Sequence, residues 1–101
     1  MIVFNTTYLV PKNLETVFLA WMKAEYVPAV MGTHLLGSPR LYKVLVSEDE
    51  GITYSLQFDA DGVSRMADFK KRCLPEMERM LFEKFGEAVL HFSSYLKSCE
   101  L

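Results

Sequence analysis

Residues 2–10 read IVFNTTYLV, and the interpretation of the whole chain starts from this stretch. β-branched and aromatic side chains dominate it and Pro11 stops it, a pattern typical of a β-strand. Two side chains on one of its faces, Asn5 and Thr7, are polar but uncharged. Two later segments also place uncharged polar side chains on one face. Together the three segments predict a β-sheet with one face of uncharged polar residues.

A helix is predicted after this strand, because apolar side chains recur there at helical spacing. These side chains are Leu14, Val17, Phe18, Trp21 and Met22. We interpret Trp21 as a core residue, with a place in the wall of a ligand pocket as the alternative. Pro28 has no amide hydrogen, so it is expected to kink or end the helix.

A second strand is expected within residues 35–47, although a Gly-Ser-Pro run interrupts its first half. Since proline cannot donate to a ladder, this interruption predicts an edge strand or a bulge. The broken pattern leaves two alternatives for the side chains on the polar side of the sheet. They are either Tyr42 and Val44 or Leu41 and Leu45.

The third strand, residues 52–58 (ITYSLQF), has the clearest alternation in the chain, and residues 47–51 form a polar hairpin connection before it. A second helical stripe follows and contains Pro75, which is expected to kink the helix or divide it in two. Cys73 lies on the apolar side of that stripe and is interpreted as a buried free thiol. Residues 88–98 are predicted as the last strand.

The order β-α-β-β-α-β predicts an α+β, ferredoxin-like fold, with a four-stranded antiparallel sheet and both helices on one face. The chain of 101 residues fits one such domain over residues 1–101. We assign to the helix side Phe4, Tyr8, Tyr54, Leu56, Phe58, Leu90, Phe92 and Leu96. The opposite face is then expected to carry Asn5, Thr7, Thr53, Ser55, Gln57, His91, Ser93 and Tyr95.

The expected polar face carries no acid and no arginine on its three clearest strands, whereas a solvent-exposed face usually mixes in charges. Small neutral groups suit a covered but wet surface with hydrogen-bonding walls. An exposed face rich in Ser and Thr is the alternative. A second copy of the chain is the expected cover, so we predict a homodimer through the sheet face around a small polar or aromatic ligand. A structural dimer without a ligand is the second hypothesis.

His91 is the catalytic candidate on this face, because an imidazole exchanges protons near neutral pH. Ser93 and Tyr95 share its strand face and would orient a ligand or hold the ring. A structural, hydrogen-bonded histidine is the alternative. The sequence indicates no reaction, so whether the protein is an enzyme stays open.

The composition argues against several classes of partner. The formal net charge is −2, whereas nucleic-acid binding favours a basic surface. No stretch approaches the roughly 20 apolar residues of a membrane span. Cys73 and Cys99 have no CxxC spacing, and neither histidine has a partner at metal-ligand spacing. We therefore expect a cytoplasmic protein with no nucleic-acid or membrane partner, no metal and no cofactor.

Three segments together resemble a known family. They are Asn5-Thr6-Thr7, the Trp21-Met22-Lys23 run followed by Pro28, and residues 51–58. The chain is similar over nearly its whole length to the bacterial domain-of-unknown-function family 4286, which resembles the dimeric α/β-barrel superfamily. The resemblance implies two ferredoxin-like subunits with facing sheets. It implies no reaction and carries over no catalytic residue.

Overall fold

The structure, a computed structural model, describes residues 1–45 and 51–101. Its strands are β1 (Ile2–Val10), β2 (Gly37–Lys43), β3 (Ile52–Ala60) and β4 (Leu90–Lys97). Its helices are α1 (Glu15–Trp21), α2 (Val27–Met31), α3 (Val63–Arg72) and α4 (Leu74–Phe85), with a 3₁₀ turn at Lys12–Leu14 and a π-helical segment at Met22–Tyr26. The predicted hairpin connection lies outside the described residues except for Gly51.

The four strands form one antiparallel sheet in the order β2-β3-β1-β4, which confirms the predicted fold class. β1 and β3 are the central neighbours, and β2 and β4 are the edges. The prediction of an edge strand or a bulge is confirmed in its first alternative, and the ladder between β2 and β3 shifts register between Gly37 and Arg40. No helix in the described part of the chain is long and apolar enough to cross a membrane.

The core lies between the sheet and the helices, and every second residue of β1 points into it. The burial of β1 alternates strictly, with Ile2, Phe4, Thr6, Tyr8 and Val10 buried. Aromatic rings from the two layers meet at the centre: Tyr8 lies 5.3 Å from Phe18, and Phe4 lies 5.6 Å from Phe69. These contacts follow from period-two alternation on the strand and the 3.6-residue period on the helices.

Regular α-helix ends at Trp21 and resumes at Val27, so the interruption predicted at Pro28 lies in the residues before it. Between these two helices the chain widens into the π-helical segment Met22–Tyr26. A π-turn inserts an extra residue into the hydrogen-bond ladder, which is one way a helix accommodates a missing amide. The same widening places Met22 and Tyr26 in the core, and Trp21 is buried as expected.

The second helical stripe is divided as Pro75 predicted. α3 ends at Arg72 and α4 begins at Leu74, so Pro75 lies in the first turn of α4, where an amide hydrogen has no partner in any case. Cys73, at the junction, is a free thiol of intermediate exposure that packs against the core.

Two buried tyrosines differ in how their hydroxyls are satisfied. Tyr54 donates to Glu15 Oε2 at 2.5 Å, and Lys43 Nζ lies 3.2 Å from the same oxygen. These contacts lower the pKa of Glu15, while burial and the Glu15 contact raise the pKa of Tyr54 to about 12. Within the described residues, the Tyr8 hydroxyl is the buried side-chain polar atom with no hydrogen-bond partner. Burial first, and then the neighbouring Tyr26, raise the pKa of Tyr8 well above its usual range.

Leu56→Ala is expected to lower the free energy of unfolding by about 3 kcal/mol, because Leu56 is only 1% exposed and truncation leaves a cavity. Leu45→Ala is the matched control, since Leu45 is 92% exposed, and its effect should stay within about 0.5 kcal/mol. Urea unfolding of both variants measures the difference. Equal losses would contradict the placement of the core.

Tyr54→Phe is expected to cost about 1 kcal/mol at neutral pH because it removes a buried hydrogen bond, whereas Tyr8→Phe removes an unpaired hydroxyl and should cost nothing or stabilise. Because the pKa of Tyr54 is raised from 10.0 to about 12, its contribution is complete below pH 10 and is lost as the pH rises to about 12. The Tyr54→Phe variant should lose less stability across that window. Urea unfolding at each pH tests both statements, and a larger cost for Tyr8→Phe would contradict them.

Candidate functional site

The faces of β4 are the reverse of those predicted. Residues directly opposite each other in an antiparallel pair share a face, and β1 pairs Tyr8 with His91 and Thr6 with Ser93. Tyr8 and Thr6 are buried beneath the helices, so His91 and Ser93 lie on the helix side. Tyr95 follows them, because it is opposite Phe4. The prediction of these three residues on the polar face is therefore wrong.

The error has a physical origin in the exposure of an edge strand. The hydrophobic pattern predicts that the apolar residues of the last strand are its buried ones, but no residue of β4 is fully buried. Leu90, Phe92 and Leu96 point away from the helices and are 59%, 65% and 47% exposed. A one-residue change of register exchanges the two faces of a strand, and here the register overrides the hydrophobic pattern.

The face of the sheet away from the helices, which we call the open face, carries the remaining predicted polar residues. Thr7 lies opposite Ser55 and Asn5 opposite Gln57, and Thr53 follows on the same side of β3. Ser55 Oγ donates to Asn5 Oδ1 at 2.6 Å, and Asn5 Nδ2 donates to Ser94 Oγ at 3.3 Å. The predicted residues Asn5, Thr7, Thr53, Ser55 and Gln57 thus lie together in a neutral polar band.

The open face also carries one ion pair, contrary to the expectation of a face without acids or arginine. β3 extends to Ala60, which places Asp59 on this face, and β2 brings Arg40 opposite Gln57. Arg40 Nη2 donates to Asp59 Oδ1 at 3.0 Å and to Gln57 Oε1 at 3.3 Å. Hydrogen bonds therefore continue from Arg40 on one edge strand to Ser94 on the other.

Ser94, Arg40 and Asp59 were missed in the sequence for different reasons. Ser94 follows from the corrected register of β4. The third strand predicted over residues 52–58 stops before Asp59, because Asp59-Ala60-Asp61-Gly62 is a run typical of a turn. Arg40 follows Pro39 in the irregular half of β2, where no alternation could be counted.

Exposed apolar side chains flank the polar band on both edge strands. On β2, Tyr42 lies opposite Ser55 and is 51% exposed, and Val44 is on the same side, its amide donating to the Thr53 carbonyl. This settles the alternative for the second strand in favour of Tyr42 and Val44. On β4 the flank consists of Leu90, Phe92 and Leu96. The open face is thus polar in the middle and apolar at its margins.

A groove of about 390 Å³ lies at one end of the open face. It is lined by two threonines, Thr7 and Thr53, by His91, and by the apolar side chains Leu9, Leu90 and Phe92. The threonine hydroxyls and the imidazole offer hydrogen bonds, and the other side chains offer apolar contact. In the described part of the chain no three His, Cys, Asp or Glu side chains lie close enough together to hold a metal ion.

On the helix side, the catalytic candidate His91 has different surroundings from those expected. Its Nε2 lies 3.7 Å from Glu78 Oε2 on α4, and its ring stacks against Tyr8 at 6.2 Å. Ser93 is hydrogen-bonded to Thr6, with 2.9 Å between the two hydroxyl oxygens. The register therefore places His91 and Ser93 on the helix side, although His91 also lines one edge of the groove that contains Thr7 and Thr53.

Tyr95, the third residue of this group, packs on Phe4 with 5.4 Å between the ring centroids, and Lys70 Nζ lies 4.9 Å above its ring. Burial and then the negative charge of Glu78 raise the pKa of Tyr95. Its ring thus belongs to the margin of the core, where it closes the layer between β4 and α3. It is not available to a ligand on the open face.

Comparison with solved structures finds the same fold in proteins of low identity. An ethyl tert-butyl ether d family protein from Bacillus halodurans aligns with a TM-score of 0.71 at 10% identity, over 98% of this chain and 100% of the other. A NIPSNAP domain protein from Burkholderia xenovorans aligns with a TM-score of 0.64 at 17% identity, over 98% and 95%. At these identities the likeness shows the fold alone.

A third structure is that of a Deinococcus radiodurans protein for which the role of an antibiotic biosynthesis monooxygenase has been proposed. It aligns with a TM-score of 0.63 at 11% identity, over 100% of this chain and 95% of the other. No curated protein matches the chain.

One family model covers almost the entire sequence. The model described as domain of unknown function DUF4286 matches residues 1–99. This match confirms the family expected from the three sequence segments. The chain is therefore a member of the DUF4286 family, built on a ferredoxin-like α+β fold.

Proposed function

We propose that this protein is a homodimer in which the open faces of two sheets pack together and enclose a small-molecule site. The observation that carries the proposal is the outward direction of the apolar side chains of β4. Phe92 is 65% exposed and Leu90 59% exposed in the single chain. Burying such side chains is favourable by about 1.5–3 kcal/mol each, so covering them with a second copy would stabilise a dimer.

The chemistry of the open face supports a site rather than only a contact. Its polar band is neutral apart from the Arg40–Asp59 pair, whose charges offset each other. The groove at one end of this face combines two threonines and His91 with the apolar side chains Leu9, Leu90 and Phe92. A polar or aromatic ligand with one or two hydrogen-bonding groups fits these surroundings. An apolar lining with a few polar groups is the usual composition of a small-molecule pocket.

The second candidate is an interaction dimer without a ligand. The hydrogen bonds that side chains of the polar band already make with one another favour it. The side chain of Asn5 already accepts from Ser55 and donates to Ser94, and Gln57 already accepts from Arg40. A band satisfied in this way has fewer groups left for a ligand. The cytoplasmic location and bacterial origin expected from the sequence stay predictions in either case.

The proposed dimer is tested by mass in solution. Sedimentation equilibrium should give twice the 11.6 kDa of one chain, and Phe92→Glu should shift the mass toward the monomer because it places a charge at the covered face. Phe82→Glu is the matched control, since Phe82 is 60% exposed on α4 and lies away from the open face. A monomeric parent protein, or equal effects of the two variants, would contradict the proposal.

The proposed ligand site is tested by thermal shift against small polar and aromatic compounds. A ligand at about 100 times its Kd adds about 2.7 kcal/mol to the stability and should raise the Tm clearly. Thr53→Val keeps the shape of the side chain but removes a hydroxyl from the groove, so it should reduce that rise. Ser64→Ala, at an exposed position at the start of α3, should leave it unchanged.

A crystal structure of the dimer would distinguish a dimer with a ligand site from an interaction dimer without one. A cavity over Thr7 and Thr53 supports the site. Sheets packed without a cavity, together with the expected dimer mass, would leave only the interaction dimer.

A further inference from the structure

A second groove lies on the helix side of the molecule, between α4 and the start of β4. It has a volume of about 520 Å³. Gly86, at φ +59°, ends α4 and turns the chain back, so that the residues before and at the start of β4 return alongside the helix. Every residue that lines this groove belongs to one chain. They are Glu78, Leu81, Phe82, Gly86, Glu87, Val89, Leu90 and His91.

The charges along this groove are all of one sign. Glu78 and Glu87 line it, and no Lys or Arg does. Two other carboxylates of α4, Glu76 and Glu83, are each paired with Arg79. Among the described residues, neither Glu78 nor Glu87 has a Lys or Arg nitrogen within ion-pair distance. Glu78 and Glu87 therefore lack the cationic partner that Glu76 and Glu83 share in Arg79.

Glu78 and His91 are placed so that each keeps hydrogen-bonding capacity. His91 Nε2 lies 3.7 Å from Glu78 Oε2, which is longer than a hydrogen bond. A carboxylate accepts hydrogen bonds on two oxygens, and an unprotonated imidazole nitrogen accepts one. An ammonium group has three donors and would bridge the two side chains.

The remainder of the groove is apolar and aromatic. Leu81 and Val89 are buried beneath it, and the ring of Phe82 stands at its side with 60% exposure. An aromatic ring beside carboxylates is a favourable environment for an organic cation, because the negative face of the ring attracts positive charge. The negative charge of Glu78 also extends inward, where it contributes to the raised pKa values of Tyr26 and Tyr95 after burial.

We propose that this groove binds a small organic cation, a protonated amine carried on an apolar body, with the ammonium between Glu78 and His91 and the body against Phe82. A carboxylate of the same shape is excluded by the two glutamates. Leu90 also faces the proposed dimer contact, but the groups assigned to the cation are Glu78, His91 and Phe82, so the proposal does not rest on the proposed dimer or on its ligand.

The test is an NMR titration of the full-length protein with three probes of similar size: phenethylamine, 2-phenylethanol and 3-phenylpropionate. Phenethylamine should shift the resonances of Phe82, Gly86 and His91, and it should bind at least about tenfold more tightly than the other two. Equal or tighter binding of 3-phenylpropionate would overturn the proposal, as would the absence of shifts at these residues with phenethylamine.

Glu78→Gln should weaken phenethylamine binding about fivefold, since one charge-assisted contact is lost at an exposed position. Glu83→Gln is the matched control on the same helix, because Glu83 pairs with Arg79 and does not line the groove. An equal loss in both variants would mean general attraction to the negative chain and would also overturn the proposal. The monomer expected from Phe92→Glu should retain binding, which separates this result from a failure of the proposed function.

Discussion

The pairing of Thr6 with Ser93 is the contact on which the functional interpretation depends. Thr6 is the buried polar residue of β1, and its hydroxyl oxygen lies 2.9 Å from that of Ser93. A buried hydroxyl needs a partner, and a neighbouring register would place Phe92 or Ser94 there instead. With Thr6 and Ser93 opposite each other, His91 and Tyr95 lie under the helices and Phe92 faces outward.

Much of the fold could be predicted from the sequence, because local periodicity sets it. The alternation of residues 52–58, the apolar stripe around Phe18 and the interruption at Pro75 each indicate their element without reference to the rest of the chain. The polar residues of β1 and β3 were likewise placed correctly, since both strands are central and their inner faces are buried. In such strands the hydrophobic pattern and the burial agree.

The site could be predicted only in part, because β4 and β2 are edges. An edge strand is buried on neither side in a single chain, so its apolar residues do not reveal which face meets the helices. Leu90 and Phe92 are exposed for this reason. The π-helical segment Met22–Tyr26 also escaped prediction, since it reflects packing of Tyr26 and Met22 against the core rather than local preference.

The corrected register gives the molecule two surfaces of different chemistry. The open face is neutral at its centre and apolar at its margins, which suits a second copy and an uncharged or weakly polar ligand. The groove beneath β4 is negative and aromatic, which suits a cation. His91 lies beside Glu78 on the helix side. Leu90 and His91 line both grooves, so the two surfaces meet at the start of β4.

The apolar side chains of β4 face away from the helices, and we propose that a second copy covers them. An isotope-filtered NOESY spectrum of a dimer that contains one labelled and one unlabelled chain tests this arrangement. We expect intermolecular contacts from the Phe92 ring and the Leu96 methyls to open-face side chains of the partner. Contacts from Phe92 to α4 side chains of its own chain, with none to the partner, would contradict it.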